Sequence, residues 1–496
     1  MAGKGPRHGG LRMAVGGIPR WLFGLFAVGI ALRLALMAVY TPAALQNPDT
    51  ISYLTIAPFH DTRQPSGLNL FVVPFGWIGS LPLLVLAEHA LGVLAAALLA
   101  AAARRLGCGW VATGVVAAAA LLTSEELYVE HAVLTEPLFT ALAAGALLAS
   151  LPRAGRDGLA APSAAGVIAG AAMCTRSIGV VVIAATMVAP LLATGDGVWR
   201  RVLRSGAATA GAAAVLGLYL LGVGLTPNGQ AGLTDWSGWY TYARSASFAD
   251  CTRFTPPAGT RMLCETTPPG QRPGPSYYIF DPASPARRAF GGPPTGGSML
   301  ARFGRAAILG EPTAYAHVVL RDFVRYFDDR FGSARPAFGG GYDTIALDRR
   351  DPIAEQSVAA QASHASFGTV VPSVVHAQHL LQLYAATFAL DGRTLLGLLL
   401  LAAAAVPLAR GRSRRGALLY GLVALALLAL PVMTISYEAR YALPPALLLT
   451  VPAAVGTEAL GRRVGGGRRP QPAREQGAAE LVSRDEPAAA RRGAAV

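Results

Sequence analysis

Long apolar runs separated by short polar breaks dominate the chain. Ten runs stand out, at residues 21–40, 80–103, 110–123, 131–151, 159–173, 177–194, 206–225, 393–409, 416–435 and 442–458. A helix needs about 20 apolar residues, within a range of roughly 17–25, to cross the hydrocarbon layer. The pattern predicts an all-α polytopic membrane protein of about ten transmembrane helices, several of them short. Residues 1–20 carry Lys4, Arg7, Arg12 and Arg20, and no small-residue cleavage site follows the first run. That run reads as an uncleaved first helix behind a cytoplasmic N-terminal segment, 1–20.

The polar breaks orient the helices. Arg104 and Arg105, Arg153 and Arg156, Arg200, Arg201 and Arg204, Arg410, Arg412, Arg414 and Arg415, and Arg462 and Arg463 fall in alternate breaks. The positive-inside bias puts these breaks, and both termini, in the cytoplasm. The opposite breaks are nearly bare of arginine; 124–130 holds Glu125, Glu126 and Glu130 instead and reads as an open outer loop. Two outer segments are long, 41–79 and 226–392. The expected organisation is a membrane core at 21–225 with a first outer loop at 41–79. An extracytoplasmic domain at 226–392 precedes the last three helices at 393–458, and a disordered cytoplasmic tail covers 459–496. Within the domain, the Pro- and Gly-rich start predicts few regular elements, and 298–331 reads as helical. Residues 369–390 carry His376, Gln378, His379 and Gln382 among apolar positions and read as an interfacial amphipathic helix.

Composition agrees. The chain is 53% hydrophobic and 14% charged, too few charges to cover a soluble domain of 496 residues. Its net charge of +14 would suit nucleic acid on a soluble protein. Here the arginines flank apolar runs and serve topology, so no nucleic-acid partner is expected. The Ala, Gly and Arg usage suggests a bacterial source. Of four cysteines, Cys108 and Cys174 lie near helix ends and read as free thiols. Cys251 and Cys264 share the large outer segment, where a disulfide is expected if that side is oxidising; two free thiols are the alternative. No zinc-ligand spacing, Walker A, Rossmann glycine pattern, HExxH or suitably placed GxSxG is present. ATP-driven transport, soluble-type nucleotide-sugar chemistry, zinc proteolysis and serine hydrolysis lose support accordingly.

An Asp, Arg or Lys at the centre of a spanning helix costs about 2.5–3.5 kcal/mol on insertion scales, so such residues usually pair or work. The short set here is Arg33 inside the first run, then Asp49, Glu136, Arg176, Glu438 and Arg440. All but Arg33 fall at or near the outer face in the expected topology. Each has a plainer explanation. Asp49 could be a turn residue after Pro48, Glu136 a partner for Arg33, Arg176 a helix cap, and Glu438 with Arg440 a loop pair. Asp61 and Arg63 either line a site or pair with each other. His131 reads as an interfacial histidine, and Glu125 with Glu126 as a solvated loop face.

The first loop, NPDTISYLTIAPFHDTRQPSGLNLF, puts an Asp, then Tyr53, then Arg63-x-Pro65 behind an apolar helix. This looks like the GT-C superfamily of polyprenyl-phosphate-sugar transferases, which includes protein O-mannosyltransferases and the lipid A aminoarabinose transferase. HAVLTEPLF resembles the second acidic motif of that superfamily, CTRSIGVVV its short basic motif, and YEARYALPP its late Arg-Tyr motif. The four occur in the family's order over most of the membrane core. The resemblance implies a cell-envelope glycosyltransferase that uses a polyprenyl-phosphate-linked sugar at the outer membrane face. The acceptor would be a glycan, lipid or protein. Asp49 would be the general base that takes the acceptor's hydroxyl proton. Arg176 and Arg440, in outer breaks that should lack arginine, would grip the lipid phosphate. Glu136 would bind acceptor, sugar or a divalent cation, with Tyr53, Asp61, Arg63 and Glu438 as further donor- or acceptor-binding residues. The metal requirement is left open. The rival readings are a transporter or flippase of lipid-linked saccharides, and a non-catalytic assembly protein on a GT-C scaffold.

Overall fold

The computed structural model describes residues 17–45, 48–54, 58–59, 63–152, 158–193, 197–226, 232–328, 367 and 374–465. Asp61, Arg153, Arg156, most of 329–373 and the expected tail beyond 465 lie outside the described residues. The first half of the chain runs α1 (Arg20–Val39), β1 (Tyr40–Thr41), α2 (Pro48–Tyr53), α3 (Gly67–Ile78), α4 (Leu81–Arg105), α5 (Trp110–Leu122), α6 (Ser124–His131), α7 (Thr135–Ser150), α8 (Ala160–Thr175), α9 (Val180–Leu191) and α10 (Val198–Gly224). A unit of short helices follows: α11 (Ser237–Ala246), α12 (Pro275–Phe280), α13 (Pro285–Phe290), α14 (Gly297–Gly310) and α15 (Pro312–Val324). The chain ends with β2 (Val374–Val375), α16 (Gln378–Thr387), α17 (Gly392–Leu408), α18 (Gly411–Thr434) and α19 (Leu443–Gly465).

The protein is a helical, multi-pass membrane protein. Each of the ten apolar runs is helical over most of its length. Among the described residues, six stretches are long and apolar enough to cross a membrane: Arg20–Val39, Leu81–Arg105, Val198–Gly224, Gln378–Leu408, Gly411–Thr434 and Ala439–Val464. A seventh forms if α5 and α6, bent by 46° at their junction, count as one span. α7 and α8, at 16 residues each, and α9, at 12, are shorter. α8 packs on α10 through small residues. A Cβ added at Gly166 would lie 1.9 Å from the Ala208 carbonyl oxygen, and one at Gly211 would lie 2.4 Å from that of Ser163. The α8 and α10 backbones are thus in direct contact, the usual way helices pack where lipid removes the hydrophobic drive.

α19 is the most enclosed long helix and packs on α17, α18, α5, α4 and α7. α1 lies at the rim and exposes Phe23, Val28, Ile30 and Leu34, a face suited to lipid. β1 and β2 form one antiparallel pair, Tyr40 opposite Val375 and Thr41 opposite Val374, joining the end of α1 to the start of α16. The 232–328 unit has its own core of Trp239, Tyr242, Leu263, Tyr278, Leu300 and Phe303. Cys251 and Cys264 are disulfide-bonded there, with Cα atoms 5.9 Å apart, while Cys108 and Cys174 are free and buried. The stretch expected to be helical from 298 is two helices, broken where Glu311 meets Pro312.

One reading is corrected. Residues 124–130 are not an open loop. They form α6, with Glu125 4% exposed, Glu126 1% and Glu130 0%. The segment SEELYVEH is too polar to read as buried by hydropathy, and its partners come from distant parts of the chain. His131 is likewise fully buried rather than interfacial.

Candidate active site

α2 carries Asp49 in its first turn. The helix is held from both sides: Thr50 Oγ1 donates to the Ala132 carbonyl at 2.7 Å, and Asn69 Nδ2 of α3 donates to the Ser52 carbonyl at 2.8 Å. Ala132 belongs to the tight turn between α6 and α7. There Val133 has φ 52°, a left-handed conformation uncommon for a β-branched residue. That turn starts α7 with Glu136 in its first turn, where the helix dipole favours a carboxylate. Arg176 ends α8 in extended conformation. Glu438 and Arg440 come from the short turn that opens α19.

These side chains meet at one end of the helical core. Arg440 Nη2 donates to Asp49 Oδ2 in a short contact, and Arg63 Nη2 lies 3.2 Å from Asp49 Oδ1. Arg440 Nε donates to Glu438 Oε2 at 2.9 Å and lies 3.8 Å from Glu136 Oε1. Arg176 Nη1 donates to the same Glu136 oxygen at 2.5 Å and to Thr135 Oγ1 at 2.7 Å. The Tyr441 ring lies 5.0 Å from the Arg176 guanidinium and 5.5 Å from that of Arg440, within cation–π reach. Tyr53 is buried nearby and donates to Gln64 Oε1 at 2.5 Å. Arg63 also donates to Ser52 Oγ at 2.5 Å.

Three guanidiniums therefore face three carboxylates. Glu136 is sealed, whereas side-chain exposure is 12% for Arg440, 17% for Asp49 and 23% for Glu438, so the cluster reaches the surface. Burial alone would push the Asp49 carboxyl up, but the Arg440 and Arg63 guanidiniums outweigh it and hold it below the usual carboxylate range. Among the described residues no three His, Cys, Asp or Glu side chains are grouped as metal ligands. Thr135, Ser52, Gln64 and Tyr441 join the cluster without having been singled out in the sequence; nothing in their spacing marks them.

A second charged group is sealed inside the bundle. Arg33 Nη2 donates to Glu130 Oε1 at 2.6 Å, and Arg33 Nη1 to the Leu121 carbonyl at 2.9 Å. Glu130 Oε2 lies 2.7 Å from His89 Nδ1, and His89 Nε2 lies 3.2 Å from His131 Nδ1. His131 Nε2 donates to the Tyr40 carbonyl at 2.8 Å. Arg33 thus pairs with Glu130, not with Glu136. Because a carbonyl can only accept, the chain of contacts to Glu130 needs one proton more than two neutral imidazoles supply. Glu88 and Glu126 are also buried, and neither carboxyl has a hydrogen-bond partner among the described residues. Glu88 and His89 were legible: they are the one acid and the one histidine in the apolar run 80–103.

Fold and cluster together define a class, a multi-pass membrane protein with a solvent-reaching ionic cluster at one end of its helices. The chain matches no family model, and no curated protein matches its sequence. Among solved structures it is similar to the archaeal oligosaccharyltransferase AglB from Archaeoglobus fulgidus, in a complex with an inhibitory peptide and a dolichol-phosphate. Identity is 11% and TM-score 0.46, over 91% of this chain and 52% of that one. The chain spans about half the length of that protein. A likeness of this degree assigns neither family nor activity.

Proposed function

We propose that the protein is a GT-C-like glycosyltransferase that moves a sugar from a polyprenyl-phosphate donor to a hydroxyl acceptor on the extracytoplasmic side. The observation that carries this reading is the convergence of Asp49, Arg63, Glu136, Arg176, Glu438 and Arg440, from four separate stretches of chain, into one cluster. The bond between the anomeric carbon and the phosphate oxygen breaks as the acceptor oxygen bonds to that carbon. Asp49 takes the acceptor proton, and the phosphate leaves with the electron pair. The arginines serve the leaving group, since guanidinium forks match phosphate oxygens. In the resting arrangement Asp49 is a poor base because two arginines hold it. A donor phosphate competes for Arg440 and Arg63, so donor binding frees Asp49 and restores its basicity. Donor binding thus arms the base.

Asp49→Asn keeps size but removes the base. Turnover with a polyprenyl-phosphate sugar, measured in vesicles, should fall by roughly 10²–10⁴-fold with the fold intact. Near-normal turnover would remove Asp49 as the base; if Asp61→Asn alone were inactive, the role would move there. The transporter reading has one observation in its favour, the ionisable set Arg33, His89, Glu130 and His131 sealed in the bundle. Lipid-linked saccharide crossing the vesicle bilayer without any product bond would favour it.

A further inference from the structure

Away from the ionic cluster, a polar cavity of about 270 Å³ lies between the 232–328 unit and the turn that leads into α19. Ser436 and Tyr437 form one wall, and Arg321, Asp322, Arg325 and Arg272 line the rest. Ser436 and Tyr437 immediately precede Glu438 and Arg440, so this wall continues into the loop that holds Asp49.

The charge in this cavity is unbalanced. Asp322, 3% exposed, is the shared partner of three arginines: Arg244 Nη1 at 2.7 Å, Arg321 Nη2 at 3.2 Å and Arg325 Nη1 at 4.0 Å. One carboxylate cannot neutralise three guanidiniums. Arg244 is itself buried, and its Nε and Nη2 have no hydrogen-bond partner among the described residues. Arg272 is spent on the carbonyls of Ala246, Ala249 and Thr267 and lies 3.8 Å from the Glu265 carboxylate, and so shapes the wall. Arg321 and Arg325 keep 59% and 41% of their side chains exposed. The Arg325 guanidinium also lies 4.3 Å over the Tyr437 ring, an arrangement that fixes the fork while leaving an edge for an anion. The volume is just under the range of drug-sized pockets and suits a single ring. Hydroxyls of Ser247 and Ser436 border the same space.

We infer that this cavity binds an anionic saccharide, a sugar ring bearing a phosphate monoester or carboxylate, and that it is the subsite for the acceptor. The term acceptor rests on the function proposed above; the binding itself does not. Arg321 and Arg325 take the oxyanion, with the ring's hydroxyls toward Ser247 and Ser436. The surplus of positive charge selects against neutral sugars.

The test uses the full chain in phosphatidylcholine nanodiscs at constant ionic strength. Glucose 6-phosphate and glucuronate are titrated against glucose by calorimetry. The two anions should bind and glucose should not. The double substitution Arg321→Gln with Arg325→Gln touches partly exposed side chains and should weaken anion binding roughly ten- to hundred-fold. Arg321→Lys with Arg325→Lys should keep part of it. Arg440→Gln and Asp49→Asn should leave it intact even where transfer is lost, which separates this subsite from the transfer chemistry. Equal binding of glucose, or anion binding that survives the double Gln substitution, would overturn the inference. So would anion binding lost on Arg440→Gln, which would place the anion in the ionic cluster. Binding detected with undecaprenyl phosphate in the disc, but not with the soluble sugars, would assign the cavity to a lipid headgroup and equally overturn it.

Discussion

Two charged groups within the helical core are both built around arginine–carboxylate pairs and do different things with them. The outer cluster joins Asp49, Arg63, Glu136, Arg176, Glu438 and Arg440 from loops and helix ends, and much of it is 12–23% exposed. The inner one joins Arg33 and His89 from long helices with Glu130 and His131 from the end of α6, with side chains 0–3% exposed. Loop-borne ions that touch solvent can exchange partners when an anionic ligand arrives. Helix-borne ions sealed from solvent cannot, because any break leaves an uncompensated charge in a low-dielectric interior. The inner network also fixes the outer one. His131 is bonded to the Tyr40 carbonyl, its own carbonyl accepts from Ala44 N, and Thr50 holds the next carbonyl, that of Ala132. The segment that delivers Asp49 is therefore pinned to the end of α6. The inner group reads as a brace, the outer as a working site.

Breaking the brace should have the larger effect on folding. Glu130→Gln leaves Arg33 buried without its counter-ion and should cost about 3–5 kcal/mol, the range for removing one partner of a buried pair. Arg33→Met with Glu130→Leu removes both charges and should recover most of that loss. Thermal unfolding in detergent reads both variants. A Glu130→Gln protein as stable as the wild type would mean that the network is not a brace, and would strengthen the transporter reading.

The contrast also marks what the sequence could reveal. Asp49, Arg176 and Arg440 were conspicuous because each is a charge next to an apolar run, and their types suit phosphate chemistry. Their pairing was not visible: Asp49 and Arg440 are 391 positions apart, and no local period connects them. α6 was misjudged for the opposite reason. Its three glutamates raise local polarity, and hydropathy cannot know that Arg33 stands 97 positions away from Glu130 in the same buried space. The helices themselves were legible because a spanning segment must satisfy its own backbone, which leaves a strong one-dimensional signal. Short apolar runs such as those of α8 and α9 were legible as helices close to their observed bounds, but their packing against α10 could not be read from the chain.

A smaller effect separates the outer arginines from one another. Arg176→Lys and Arg440→Lys keep the charge but lose the fork, so affinity for a polyprenyl-phosphate donor should fall about tenfold while turnover at saturation changes less. Neutral replacements should be worse. Arg440 contacts Asp49, Glu438 and Glu136, whereas Arg176 contacts Glu136 and Thr135. Arg440→Lys should therefore also disturb the base, and Arg176→Lys should not. A pure turnover defect in Arg176→Lys, with unchanged donor affinity, would assign it to the chemistry instead.

The smallest expected effect is a pH dependence that should be nearly flat. Arg440 and Arg63 hold the Asp49 carboxyl below its usual range, so the folded protein keeps this group ionised more strongly than the unfolded chain does. Stability from a depressed carboxylate is present above the unfolded pKa, about 3.9 for Asp, and is lost as pH falls through the lower folded value. Between pH 8 and pH 5, the difference in unfolding temperature between wild type and Asp49→Asn should therefore stay constant. It should begin to close only below about pH 4. A wild type that instead gains stability relative to Asp49→Asn as pH falls from 8 to 5 would show that the arginines do not hold this carboxyl down, because only a carboxyl raised in the folded state gains stability on acidification. The idea that donor binding must free Asp49 before it can act as a base would then fall, because the resting side chain would already be basic enough.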